Sequence, residues 1–187
     1  MADNPPRRLT AGTRPGDRAA DRAAMLRVDQ AGEFGAGRIY AGQLAVMGER
    51  HRFARLIRGM AAQEERHRQA FDKLAAERGV RPTLLTPLWS VAGYALGAAT
   101  AMMGPRAAMA CTAAVETEID RHYAQQLEAL GDSDPELTAH IAEFQAEERE
   151  HRDTAIANQA EETPGYPLLS AAIRAGCRAA IALSKRV

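Results

Sequence analysis

Four stretches of this chain carry apolar and polar residues at helical steps of three and four, and every one of the four stripes contains a glutamate. The first reads Leu26, Gln30, Glu33, Gly37, Tyr40, Leu44, Met47, and the second Ile57, Met60, Glu64, His67, Phe71, Leu74. The third reads Met109, Thr112, Glu116, Ile119, Tyr123, Leu127, Leu130, and the fourth Leu137, Ile141, Phe144, Glu148, His151, Ala155. Such spacing turns one face of a helix toward a core. A carboxylate buried there is disfavoured by several kcal/mol unless it is paired, protonated or bound to metal. No Lys or Arg lies in any stripe to neutralise these four. The pattern predicts four packed helices sharing one feature that accounts for all four glutamates.

The punctuation supports this reading. From Ala23 the chain is dense in the helix formers Ala, Leu, Arg and Glu, and no strand-like alternation occurs. Gly48 separates the first two stripes; Gly131–Pro135 separates the last two, with Asp134 and Pro135 reading as N-cap and first helical residue. Residues 79–87, GVRPTLLTP, form a loop, and a further helix is expected from about Tyr166 to Ser184. Residues 1–22, rich in Pro, Arg, Gly and Asp without hydrophobic period, read as a mobile tail before one domain over 23–187. The expected class is all-α: an antiparallel four-helix bundle of two hairpins, with an apolar connection and an extra C-terminal helix.

Two stripes contain Glu-x-x-His, at Glu64–His67 and Glu148–His151. Both motifs lie in charged runs that could equally face water, so the motif alone decides nothing. Hairpin geometry does. Glu33 and Glu64 are 31 positions apart and centred on the Gly48 turn; Glu116 and Glu148 are 32 apart and centred on Asp132. Residues equidistant from a hairpin turn sit at equal height, so all four carboxylates fall in one layer, ~20 Å from each turn. His67 and His151 share the face of the glutamates three positions before them. Lone glutamates on two helices and Glu-x-x-His on two others make up the ligand set of di-iron and di-manganese bundles of the ferritin-like type. Four carboxylates and two neutral imidazoles balance two divalent ions, and oxygen and nitrogen donors without sulfur favour iron or manganese. Glu64 and Glu148 are assigned as bridges, Glu33 and Glu116 as terminal ligands.

Other polar residues read differently. Glu65, Glu147 and Glu150 are off the seam and expected at the surface; His51 and His140 lie near helix starts, away from the layer. His122 is either a contact behind the ligands or at the substrate, or a half-buried polar residue. Asp29, one turn before Glu33, either orients a ligand histidine or does not.

Composition narrows the partners. Lys+Arg 24 against Asp+Glu 24 gives zero net charge, which argues against nucleic acid. Two cysteines, Cys111 and Cys177, supply neither a disulfide framework nor a thiolate metal site, and a reducing compartment fits best. The opening residues lack the apolar run of a secretory signal and fit a mitochondrial presequence poorly.

Several segments are recognisable together. RVDQAGEFGAGRIYAGQLAVMG (27–48), RPTLLTPLWSVAGYALGAATAMMG (81–104), AMACTAAVETEIDRHY (108–123), EEREHRD (147–153) and AGCRAAIALS (175–184) resemble, in this order, the demethoxyubiquinone hydroxylase family, di-iron monooxygenases of ubiquinone biosynthesis. The resemblance covers about residues 25–185. It implies two Fe ions (Fe2+/Fe3+) held by Glu33, Glu64, His67, Glu116, Glu148 and His151, which would then be both metal ligands and catalytic residues. It further implies O2 as co-substrate and hydroxylation of the ring of a polyprenyl demethoxyubiquinol. NADH is the implied reductant, although no Gly-x-Gly-x-x-Gly is present to bind it. Gln30 and Gly37 depart from the family's usual His and Asn; both flank Glu33 at the expected substrate mouth. Two alternatives stay open: another ferritin-like di-iron protein, such as a rubrerythrin-type peroxidase or an iron store, and a non-enzymatic quinone- or lipid-binding scaffold.

Leu84–Gly104 is 21 residues without a charge, but Pro87, three glycines and Arg106 argue for a segment lying at a membrane surface rather than crossing it. The C-terminal helix, with Arg174, Arg178, Lys185 and Arg186, is expected to face anionic headgroups. The expectation is a peripheral, monotopic protein on the cytoplasmic face of a bacterial membrane, or on the matrix side of the mitochondrial inner membrane. Its partners would be the quinol, the membrane surface and a ubiquinone-synthesis complex.

Overall fold

The computed structural model describes residues 18–187, and among them the only regular elements are helical. Helix α1 spans Ala19–Met47, α2 Ala54–Glu77, α3 Thr86–Met102, α4 Pro105–Leu130, α5 Pro135–Ala157 and α6 Tyr166–Ser184. A single 3₁₀ turn, Ala160–Glu162, precedes α6. The expected all-α class is observed. Helix α1 begins at Ala19, so residues 19–22 of the expected tail are helical; residues 1–17 lie outside the described residues.

The helix ends follow the punctuation. Gly48 stops α1 at φ 74°, a backbone angle that favours glycine, and its N–H donates to the Leu44 carbonyl. Asp134 caps α5, its carboxylate accepting from the Leu137 N–H at 3.2 Å, with Pro135 at the first helical position. Helix α6 runs over Tyr166–Ser184, as the apolar pattern predicts.

Helices α1 and α2 pack as one hairpin and α4 and α5 as another, with α3 against α1 and α6 against α4. The molecule is therefore layered, with α2 and α5 on one side, α1 and α4 in the middle, and α3 and α6 outside them. Helix α3 approaches α1 backbone to backbone. A Cβ at Gly97 would overlap the Ile39 carbonyl, and one at Gly42 would overlap that of Tyr94, so only glycine permits this contact.

The apolar core is split in two. One cluster joins Leu26, Phe71, Leu74, Leu130, Leu137, Ile141 and Phe144; the other joins Phe53, Ile57, Met60, Met109 and Ala155. On every stripe the glutamate lies between its members of the two clusters. A polar layer thus interrupts the bundle at mid-height, flanked by dry packing that holds the four backbones in register.

Among the described residues, no helix is long and apolar enough to cross a membrane. The uncharged segment becomes the 17-residue α3, preceded by a turn. Arg174 and Arg178 differ from expectation: both donate to Glu118, at 2.7 and 2.8 Å, and clamp α6 onto α4. Glu118 is only 2% exposed and needs these partners.

Candidate metal centre

All six residues singled out by periodicity are buried and converge. Ligand atoms of Glu33, Glu64, His67 and Glu148 lie within 4.8 Å of one another, and so do those of Glu64, Glu116, Glu148 and His151. Each group holds four donors from three helices, and Glu64 and Glu148 belong to both.

The imidazoles are oriented from behind. His67 Nδ1 lies 3.3 Å from Glu33 Oε2 and 3.0 Å from Glu148 Oε1. Its Nε2 meets Glu147 Oε2 at 2.6 Å. His151 Nδ1 lies 3.0 Å from Glu148 Oε2 and 3.2 Å from Glu64 Oε1, while its Nε2 meets Gln63 Oε1 at 2.7 Å. An amide oxygen can only accept, so Nε2 of His151 carries a proton, and in the neutral ring the lone pair is left on Nδ1, the nitrogen that faces the carboxylates. Glu147 imposes the same tautomer on His67.

The lone glutamates are held by tyrosines from across the middle layer. Tyr40 on α1 donates to Glu116 Oε1 at 2.9 Å, and Tyr123 on α4 donates to Glu33 Oε1. These four orienting residues were missed in the sequence reading, and Glu147 was placed at the surface. Its position corrects that view: side chain 21% exposed, it also pairs with Arg66. A signal was present. Each tyrosine stands seven positions after a lone glutamate, and Gln63 and Glu147 each stand one before the glutamate of a Glu-x-x-His.

Crowding shapes the charge states. Burial pushes Glu33, Glu64 and Glu116 up from the ordinary carboxylate value, with repulsion from Glu148 adding to each. Burial also opposes ionisation of Glu148, yet the His151 and His67 rings beside it hold it down at about 2. For His67 burial works against the charged form, but Glu148 and Glu33 raise it to about 10. The negative field that draws a proton to His67 draws a metal cation as well.

The residues fit a metal pair. Glu64 Oε1 and Glu148 Oε1 are buried and make no hydrogen bond, although an imidazole nitrogen lies within 3.2 Å of each. Two buried carboxylate oxygens without a hydrogen bond, each beside an imidazole nitrogen, match a cation held between them.

The remaining residues fall elsewhere. Glu65 bonds Arg68 and Gln69 at the surface, and His51 caps the turn by accepting from the Phe53 N–H. His140 lies beside Phe144, and Glu150 is exposed. Asp29 orients no histidine of the cluster. Its Oδ1 accepts from Gln126 at 2.8 Å and lies 3.4 Å from His122, so the two residues left open form one buried polar group with Gln126.

Residues 20–184 match the family model described as ubiquinone biosynthesis protein COQ7. The chain belongs to this family. A COQ7 relative from Rhodospirillum rubrum, named 3-demethoxyubiquinol 3-hydroxylase, is 57% identical over 163 residues, covering 87% of this chain and 77% of the relative. A Mus musculus relative, named NADPH-dependent 3-demethoxyubiquinone 3-hydroxylase, mitochondrial, is 51% identical and covers 90% and 78%. The Saccharomyces cerevisiae 5-demethoxyubiquinone hydroxylase, mitochondrial, is 41% identical and covers 87% and 77%. Among the readings the sequence leaves open, COQ7 membership favours the hydroxylase.

Proposed function

We propose that this chain is an O2-dependent monooxygenase that hydroxylates the ring of a polyprenyl demethoxyubiquinol in ubiquinone biosynthesis. The observation that carries the reading is the buried cluster of two four-donor groups sharing Glu64 and Glu148, in a chain whose relatives bear hydroxylase names. Glu33, Glu64, His67 and Glu148 would hold one iron, and Glu64, Glu116, Glu148 and His151 the other. The iron pair supplies the O2 activation and redox chemistry that no side chain provides. Following the NADPH dependence named for the mouse relative, the balance is ring C–H + O2 + NADPH + H+ giving ring C–OH + H2O + NADP+.

The chain's own residues set the conditions. Tyr40 and Tyr123 fix the outer carboxylates, Gln63 and Glu147 fix the imidazoles, and the flanking apolar clusters keep water out. On the other side of α1 and α4 lies an apolar cavity of about 510 Å3, walled by α3 and α6. Gly32 and Val115, which precede Glu33 and Glu116, line it, as do Leu96, Ile173 and Ile181. A long isoprenoid tail fits such a lining. Leu84, Leu88, Val91, Met102, Met103 and Leu168 are each more than half exposed around its outer helices. That face supports docking on a membrane surface, where such a quinol dissolves.

The test is to follow quinone intermediates in cells lacking the protein. A precursor short of one ring methoxy group accumulates, and the wild-type chain clears it. Glu64→Ala and His151→Ala do not, whereas Glu65→Ala does. Accumulation of a different intermediate overturns the reaction assigned here.

A further inference from the structure

A second cavity opens on the opposite side, between α2 and α5, away from the apolar cavity that suits the quinol tail. It measures about 460 Å3 and is lined by Arg52, Arg55, Leu56, Gly59, Met60, Gln63, Glu150, His151 and Thr154. Its floor is the Gln63–His151 pair, so a single imidazole ring separates it from the carboxylate cluster.

The rim is cationic and idle. Arg66, Arg68, Arg78, Arg149 and Arg152 all pair with carboxylates. Arg55 makes no hydrogen bond or ion pair among the described residues, and Arg52 only covers the Phe53 ring at 4.4 Å. Arg50 and Arg58, exposed beside them, have no acidic partner either. The one acid lining the cavity is Glu150. In a chain of zero net charge, this is a concentrated positive field over a concave surface. A guanidinium presents a planar fork of donors that matches phosphate. Between rim and floor, Leu56 and Met60 offer an apolar wall for a flat ring, while Gln63 and Thr154 offer polar ends.

We propose that the Arg52–Arg55 cavity binds a phosphate-bearing dinucleotide reductant, on the side of the centre opposite the apolar cavity. The proposal rests on the hydroxylase reading for its electron balance and on this cavity for its location. Substrate and reductant then use separate ports, and a tail seated between α3 and α6 does not compete with a nucleotide between α2 and α5.

The experiment is a fluorescence titration of metal-loaded protein with NADPH. Arg52→Gln with Arg55→Gln weakens binding by about tenfold for each guanidinium lost, and Arg55→Lys retains part of it. Glu150→Gln tightens binding, and Lys73→Gln, which removes one charge at the far end of α2, leaves it unchanged. Inorganic pyrophosphate competes, whereas phosphatidylglycerol vesicles do not. Unchanged affinity in the double variant, or failure of pyrophosphate to compete, overturns the site; displacement by vesicles reassigns it to a lipid headgroup. Hydroxylation by the wild-type chain driven by dithionite tests the enzymatic reading separately, so the two failures are distinguishable.

Discussion

His67 and His151 occupy equivalent places in the two hairpins, yet they are held differently. Each turns Nδ1 toward a pair of carboxylates and gives its Nε2 proton to the residue before the other hairpin's shared glutamate. For His67 that residue is Glu147, a carboxylate locked by Arg66. For His151 it is Gln63, a neutral amide on the floor of an open polar cavity. The ligand geometry is nearly two-fold, while the surroundings are not. One imidazole is sealed by an ion pair, and the other stands at a port. On the reading proposed above, a symmetric ligand set serves a reaction whose reactants arrive from different directions.

The largest expected effect comes from breaking what the two halves share. Glu148→Ala removes a carboxylate common to both donor groups and within 3.0 Å of both imidazoles. Iron content should fall below two per chain and hydroxylation by roughly 100-fold or more. Metal analysis on purified protein checks this; two retained irons would remove Glu148 from the ligand set.

The next effect sharpens the asymmetry. Removing the acceptor behind a metal-bound histidine typically weakens metal binding by about 10–100-fold. A charge-assisted bond is about twice as strong as a neutral one, so Glu147→Ala should weaken binding more than Gln63→Ala. Competition with a coloured chelator measures both. Equal losses would mean that the carboxylate at 147 does nothing the amide at 63 does not.

These residues also mark how far the sequence could be read. Glu33, Glu64, Glu116 and Glu148 were legible because helical phase and distance from a turn are local quantities, and the layer follows from them alone. Glu147 was not, because its role depends on which neighbouring helix its side chain crosses to. One residue from Glu148 rotates it by about 100°, off its own seam and onto α2. Arg174 and Arg178 failed for a related reason. A cation on an apolar helix suits a headgroup or a buried acid equally, and Glu118 lies on a different face of α4 from Glu116. Helix α3, apolar nearly all round, gave no preferred side. Only Gly93 and Gly97, one turn apart, mark where it meets α1.

The smallest expected effect concerns the turns that set the two halves in register. The first hairpin closes at Gly48 and α2 starts without a side-chain cap, whereas the second starts α5 at Asp134. Asp134 accepts from the Leu137 N–H and pairs with Arg78 at the end of α2, so one carboxylate caps one hairpin and ties it to the other. Burial opposes its charged form, but Arg78, the Leu137 N–H and Arg22 outweigh this and hold it below its ordinary 3.8. The folded chain therefore binds fewer protons there than the unfolded chain. The contribution is complete above about pH 4 and fades as pH falls through the folded value. Asp134→Ala should lower stability by about 1 kcal/mol at neutral pH, most of it the lost cap. Ser at 134 should recover the cap but not the tie to Arg78. Denaturant unfolding of the three chains at pH 7 and pH 3 measures it. The wild-type advantage over Asp134→Ala should shrink in acid, and an advantage that grew there would reverse the sign argued for this carboxylate.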